Sequence, residues 1–328
     1  MASRFVPVAV LVAAVVATGV VMRVEPSRLD QPKPVEPRPV TAMIPWSDQD
    51  SLPRLKSDFP VEVDPAAPTV PLAENPVERA LALLQKSSSD PVLVLGDDWH
   101  LRSLGVLKMS PTSLSADGRT AVFPQPGSVL VVDLTTGRSR TVPVGGTNTH
   151  AAISPDGRQL LAMGSRGTQL VDAADGALII RMADRKTPSS YSATDNFACG
   201  VVTGRNNPEY MISSFRTLER EGRTITHSLE SMVDDVRGIP VARGNRIAVP
   251  ARGKFAVRDV IVMTYFGFVP IRGAPPKVLG VPFGARPLRW FDDSTLLVLS
   301  GDRVLSWNVD TGEVSRVMKL LGRVEVSA

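Results

Sequence analysis

The chain has 328 residues, of which 43% are apolar and 21% charged, and a net charge of +4 in which only 8 of the 37 basic side chains are lysine. This is ordinary globular usage, which excludes a disordered or fibrous chain and allows a sizeable core. A single cysteine, Cys199, excludes an intramolecular disulfide and any multi-cysteine metal site.

Phe5 to Met22 reads FVPVAVLVAAVVATGVVM, eighteen residues without a charge. As a helix rising 1.5 Å per residue it would reach about 27 Å, enough for a hydrocarbon core of about 30 Å. Its length exceeds a usual signal-peptide core, and Ala17-Thr18-Gly19 is a poor cleavage site, so the expectation for residues 1–24 is an uncleaved transmembrane signal anchor. Arg4 precedes the span, and Arg23, Arg28, Lys33 and Arg38 come after it. That count does not favour a cytoplasmic amino terminus. A short head ahead of a large β domain nevertheless has the layout of an anchor that exports the domain behind it, so the expected location is the cell membrane, single-pass, with an extracytoplasmic domain.

Residues 25–74 form a proline-rich linker, with twelve prolines between Pro26 and Pro76. Such density forbids helix and central strand and favours extended chain. Ile44, Trp46, Leu52, Leu55 and Phe59 give its second half the apolar content of a segment draped on a folded domain. For residues 75–90 the expectation is a short docking helix. Asn75 can cap it, Pro76 suits the first helical position, and Val77, Ala80, Leu81 and Leu84 share one face.

From residue 91 to 328 the chain repeats. SLSADGRTAVFPQPGSVLVVDLTTGRSRTVPV and AAISPDGRQLLAMGSRGTQLVDAADGALIIRM place Asp117 and Asp156, Asp133 and Asp172, and Gly137 and Gly176 each 39 residues apart. Asp292, Asn308 and Gly312 reproduce the internal spacings of 16 and 20. A period of about 40 residues built from short β-runs and turns is the mark of an all-β propeller array. Asp-Gly turns join adjacent strands, and the runs of Val, Leu, Ile and Ala suit strands covered on both faces. Five whole units and a leading half-unit, VLVLGDDWHLRSLGV, predict six blades if the terminal LGRVEVSA completes the half-unit, and five if the half-unit only caps an edge.

SADGR at Ser115–Arg119, SPDGR at Ser154–Arg158 and the D-x-x-x-G turns resemble those of WD-repeat and TolB-like β-propellers, over roughly residues 91–320. Trp307-Asn308 stands where WD repeats carry Trp-Asp. The Gly-His dipeptide of WD repeats is missing, so the TolB-like branch is the better match. Anchor, proline-rich spacer and propeller together are similar to membrane-tethered bacterial propellers, and the resemblance implies a binding platform.

Catalytic patterns are sparse. His100, His150 and His227 stand apart from one another and from Cys199, and HExxH, GxSxG and P-loop motifs are absent, so no enzyme, cofactor or metal is expected. Six residues before each turn aspartate an inner strand should face the central channel, and there stand Pro111, His150, Ser189 and Arg286. His150 and Arg286 could together grip an anion, with Ser189 beside them. The acid pairs Asp97-Asp98, Asp234-Asp235 and Asp292-Asp293 read as turn residues, because calcium loops need more oxygens at regular spacing. The basic run from Arg237 to Arg258 lacks the interleaved aromatics that stack bases, so nucleic acid is not an expected partner. Two functions emerge as expectations. One is a non-enzymatic, membrane-tethered platform for a protein or cell-envelope partner. The other is a propeller enzyme or small-molecule receptor using the central channel.

Overall fold

The structure is a computed structural model. It describes residues 41–182, 190–191, 197–199, 209–216, 221–228, 233–236, 239–243, 246–253, 258–266, 269–270, 277–281 and 285–328. The apolar span at residues 5–22 and the candidate Ser189 lie outside them. Among the described residues no helix is long and apolar enough to cross a membrane.

Three short strands come first: β1 (Thr41–Met43), β2 (Glu62–Val63) and β3 (Val70–Pro71). Blade one contains β4 (Ala80–Gln85), β5 (Pro91–Gly96) and β6 (Leu101–Val106). β7 (Thr120–Asp133) folds back on itself, since Leu134 N donates to Arg119 O across its ends at 2.9 Å. With an inner bridge from Leu114 to Ala121 and the first half of β8 (Ser139–Ile153), it makes blade two. The second half of β8 turns into blade three and pairs with β9 (Gln159–Gly164), followed by β10 (Gly167–Asp172) and β11 (Leu178–Met182). Blade four is β12 (Ser190–Tyr191), β13 (Phe197–Cys199), β14 (Glu209–Arg216) and β15 (Glu221–Ser228). In blade five, β16 (Val233–Val236) and β17 (Val241–Arg243) both pair with β18 (Arg246–Gly253), which continues to β19 (Arg258–Phe266), β20 (Val269–Pro270) and β21 (Lys277–Val281). Blade six is the meander β22 (Arg286–Trp290), β23 (Thr295–Ser300), β24 (Arg303–Asn308) and β25 (Val314–Leu320).

The last strand, β26 (Glu325–Ser327), pairs antiparallel with β4, Val326 opposite Leu84, and supplies the inner strand that blade one lacks. The ring is therefore closed by strands from its two ends. The described residues form six blades.

The strands are apolar on both faces because each face is a seam. Adjacent residues on a strand point to opposite sides, so Leu83 packs toward blade two with Val94, Phe123 and Leu134, whereas Leu84 packs toward blade six with Leu297 and Val317. Val122, Val142, Leu160 and Val171 fill the seam between blades two and three, and Ala248, Leu279, Leu296 and Trp307 that between five and six. Strand β12 lies beside β8 on one side and β17 on the other, which completes the circuit.

The turns repeat at atomic level. In blade two, Ser115 Oγ donates to Asp117 at 2.6 Å and that carboxylate accepts from Arg119 N at 3.0 Å; Ser154, Asp156 and Arg158 repeat the pattern at 2.6 and 3.1 Å. Asp292 accepts instead from Ser294 N and Thr295 N, a turn one residue tighter at the same corner. Gly137, Gly176 and Gly312 each donate to the residue four earlier, at 2.8–3.0 Å.

Residues 75–90 correct the sequence reading: β4 is a strand, buried at all six positions, not a docking helix. ALALLQ is apolar throughout, so it satisfies a helical stripe and a doubly covered strand equally. A helix of about ten residues is marginal alone, and the ladders to β5 and β26 decide the matter.

The segment before β4 runs around the outside. β1 adds parallel to β21 of blade five, β2 to β25 of blade six and β3 to β6 of blade one, so the chain laces the outer edges of three consecutive blades. Extended proline-rich chain suits this, because an outermost strand needs donors on one side only. Arg303 fixes the belt through two bonds to Asp50 at 2.8 and 2.6 Å, Arg316 donates to Leu52 O at 2.8 Å, and Phe59 is buried between blades six and one. Trp99, at φ 68°, donates its indole N–H to Asp58 O at 2.6 Å. A left-handed tryptophan costs energy, and here it clamps the belt to blade one.

Candidate functional site

The inner strands surround a cavity of about 230 Å³ at the end of the ring where the Asp117 and Asp156 turns lie. Leu114 of blade two, Ile153 of three, Val241 of five, and Leu288 and Trp290 of six contribute apolar wall. Trp290 Nε1 donates to Val241 O at 3.2 Å, which ties blade six to blade five at the rim. Three arginines complete it: Arg79 of blade one, Arg243 of five and Arg289 of six. Among the described residues no Asp or Glu side chain lines it.

Arg79 occupies the position of Arg119 in the repeat, since its carbonyl accepts from Asp97 N at 3.0 Å as that of Arg119 accepts from Leu134 N. Its guanidinium reaches Asp58 of the belt at 2.7 Å. Arg243 pairs with Asp293 at 2.8 Å. Arg289 is different. Its Nε is buried without a hydrogen-bond partner, and it makes no ion pair among the described residues. Its guanidinium carbon lies 5.6 Å from the Phe59 ring centroid, a cation–π contact. Burial, reinforced by Arg79 nearby, lowers its pKa from 12.5 to about 10, so it stays charged at neutral pH.

The candidates read from sequence divide differently. Pro111 lines the cavity; His150 and Arg286 do not. Arg286 donates to Val326 O at 2.7 Å and Glu325 at 3.1 Å, so it clips β26 into blade one. His150 stands at the start of the inner strand of blade three, 3.1 Å from Thr149 Oγ1. Burial and then Lys108 lower its pKa. Arg289 was missed because it stands three residues, not six, ahead of Asp292, off the spacing that singled out Arg286. A lone arginine three residues ahead of a turn aspartate carries no signal of its own.

A second groove of about 220 Å³ lies between the belt and blade six. Its Arg303 is already engaged by Asp50 and Asp302, so it holds the belt. Among the described residues no group of three or more His, Cys, Asp or Glu gathers as metal ligands.

No family model and no curated protein matches the sequence. Solved structures do. Hydrazine synthase of Kuenenia stuttgartiensis is 14% identical over 78% of each chain, with a TM-score of 0.50. A putative TolB of Agrobacterium tumefaciens is 14% identical over 76% of this chain and 98% of that one, with a TM-score of 0.47. The β-propeller domain of the trilobed protease of Pyrococcus furiosus is 13% identical over 74% and 83%, also with a TM-score of 0.47. The chain resembles TolB-like and WD-repeat propellers, and at these identities the likeness is one of fold.

Proposed function

We propose that this propeller is a non-enzymatic binding module, tethered to the cell membrane by residues 5–22, whose cavity-bearing face engages a protein or cell-envelope partner outside the cytoplasm. The observation that carries the reading is the axial cavity itself, a preformed concave site walled by inner strands of several blades and rimmed by their turns. The alternative, a small-molecule receptor or enzyme working in the channel, draws on the same cavity.

Photo-crosslinking tests the face. Phe291, exposed at the cavity rim, should give an adduct in cells when replaced by a photoreactive residue. Ser88, at the far ends of β4 and β5, should not. Equal labelling at both sites, or none, would refute the assignment. A reporter fused after Ala328 and active only outside the cytoplasm checks the proposed topology.

A further inference from the structure

The geometry points to a specific site at the base of this cavity for a compact oxyanion, a carboxylate or phosphate group of the ligand, held by Arg289 with Arg79 and Arg243 at the rim. The site deepens the binding role proposed for this face and rests on that reading for the choice of face.

Three other buried or half-buried arginines among the described residues are met by acids. Arg102, 3% exposed, forks onto both oxygens of Asp98 and also donates to Asn75 O and His100 O. Arg303 is engaged by Asp50 and Asp302, and Arg286 by Glu325 and Val326 O. In each case the guanidinium is held by a carboxylate. An unmet buried cation is strongly unfavourable, because desolvation is offset by neither pairing nor hydrogen bonds. Arg289 departs from this pattern: its Nε is buried without a hydrogen-bond partner, no carboxylate among the described residues meets it, and it lines a cavity rather than packed apolar core.

The surroundings suit an anion. Among the described residues the wall itself carries no Asp or Glu, Arg79 and Arg243 stand at the rim with Asp58 and Asp293 as exposed partners that an anion would have to share, and Phe59 stacks on the Arg289 guanidinium from the belt side. A planar fork in a partly dehydrated pocket matches a carboxylate or phosphate, which can accept two parallel N–H bonds. A cavity of about 230 Å³ has room for such a group.

Calorimetric titration of the purified full-length chain with inorganic phosphate, and separately with succinate, tests the site. At least one should bind saturably, and which one does so identifies the group. Arg289→Met, which keeps the apolar stem, should weaken that binding by at least about tenfold, the worth of one charge-assisted contact. Arg289→Lys should weaken it less. Without anion, Arg289→Met should melt no lower than the wild type, since it removes a buried Nε that has no hydrogen-bond partner and keeps the apolar stem, and its melting temperature should no longer rise with anion. Binding of neither anion by the wild type, or undiminished binding by Arg289→Met, would overturn the site. A lower melting point for Arg289→Met without anion would do the same, by making the arginine a brace for Phe59. If anion binding fails while Phe291 still crosslinks, the anion site alone falls and the binding face stands.

Discussion

The seam between blades one and two offers a sharp test of ring closure. Ser327 of β26 is 0% exposed; its hydroxyl accepts from Leu114 N at 3.1 Å and donates to Pro111 O at 3.0 Å. Ser327→Ala changes no backbone pairing with β4, but it strands a buried N–H and a buried carbonyl together. Each orphaned group costs about 1–3 kcal/mol, and allowing for partial relaxation the sum is about 2–4 kcal/mol. For a domain of this size that corresponds to a fall in melting temperature of roughly 5–15 °C. Thermal and urea unfolding followed by tryptophan fluorescence would measure it. Ser306→Ala is the control, because Ser306 is equally buried but makes only a weak 3.4 Å bond to Ser315 O, and it should cost under about 1 kcal/mol. If Ser327→Ala proves within about 0.5 kcal/mol of the wild type, a range usual for inconsequential surface changes, β26 is not latched to blade two as described.

Gly118 and Gly157 hold equivalent turn positions at φ +73° and +72°, yet a Cβ on Gly118 would meet Ala80 O at 2.3 Å and one on Gly157 would meet nothing within 4 Å. Gly157→Ala should cost about 1–2 kcal/mol of left-handed strain, and Gly118→Ala clearly more, measured by urea midpoint. Asp98, held at a pKa of about 2 chiefly by its hydrogen bonds to Arg102 against an ordinary 3.8, contributes stability that is complete above about pH 4 and is lost as pH falls toward about 2. Acid unfolding of Asp98→Asn should lack that component, and unchanged acid sensitivity would count against the pair. Phe59→Ala should cost about 3–5 kcal/mol and loosen the backbone around the already exposed Arg54 and Lys56, read as earlier tryptic cleavage in the belt; unaltered digestion would mean that the belt does not depend on this anchor.

The repeat was legible because its turns are made by side chains that sequence displays. Asp117, Asp156 and Asn308 accept from amides two residues on, so aspartate or asparagine at fixed spacing marks each corner. The closing strand was legible as a leftover half-unit needing a partner. Residues 75–90 misled because burial on both faces removes the alternation that separates strand from helix. The belt's edge pairings left no signal, since Val70-Pro71 and Glu62-Val63 gain their order from the strands they join. For the cavity, the spacing singled out Arg286, whose guanidinium is taken up by Glu325, a partner 39 residues away, whereas Arg289, which lines the cavity, stands off that spacing.

Closure from opposite ends also sets a timetable for biosynthesis. Leu114 and Ser327 are bonded across 213 residues of chain, and a ribosome moving at about 5–20 residues per second needs roughly 10–40 s to bridge that interval. Throughout that time β4 has already emerged with its inner edge unpaired, an open template for strands of other molecules. That edge stays open until β26 has emerged, and a circular permutant joining β26 directly to β4 should escape that wait.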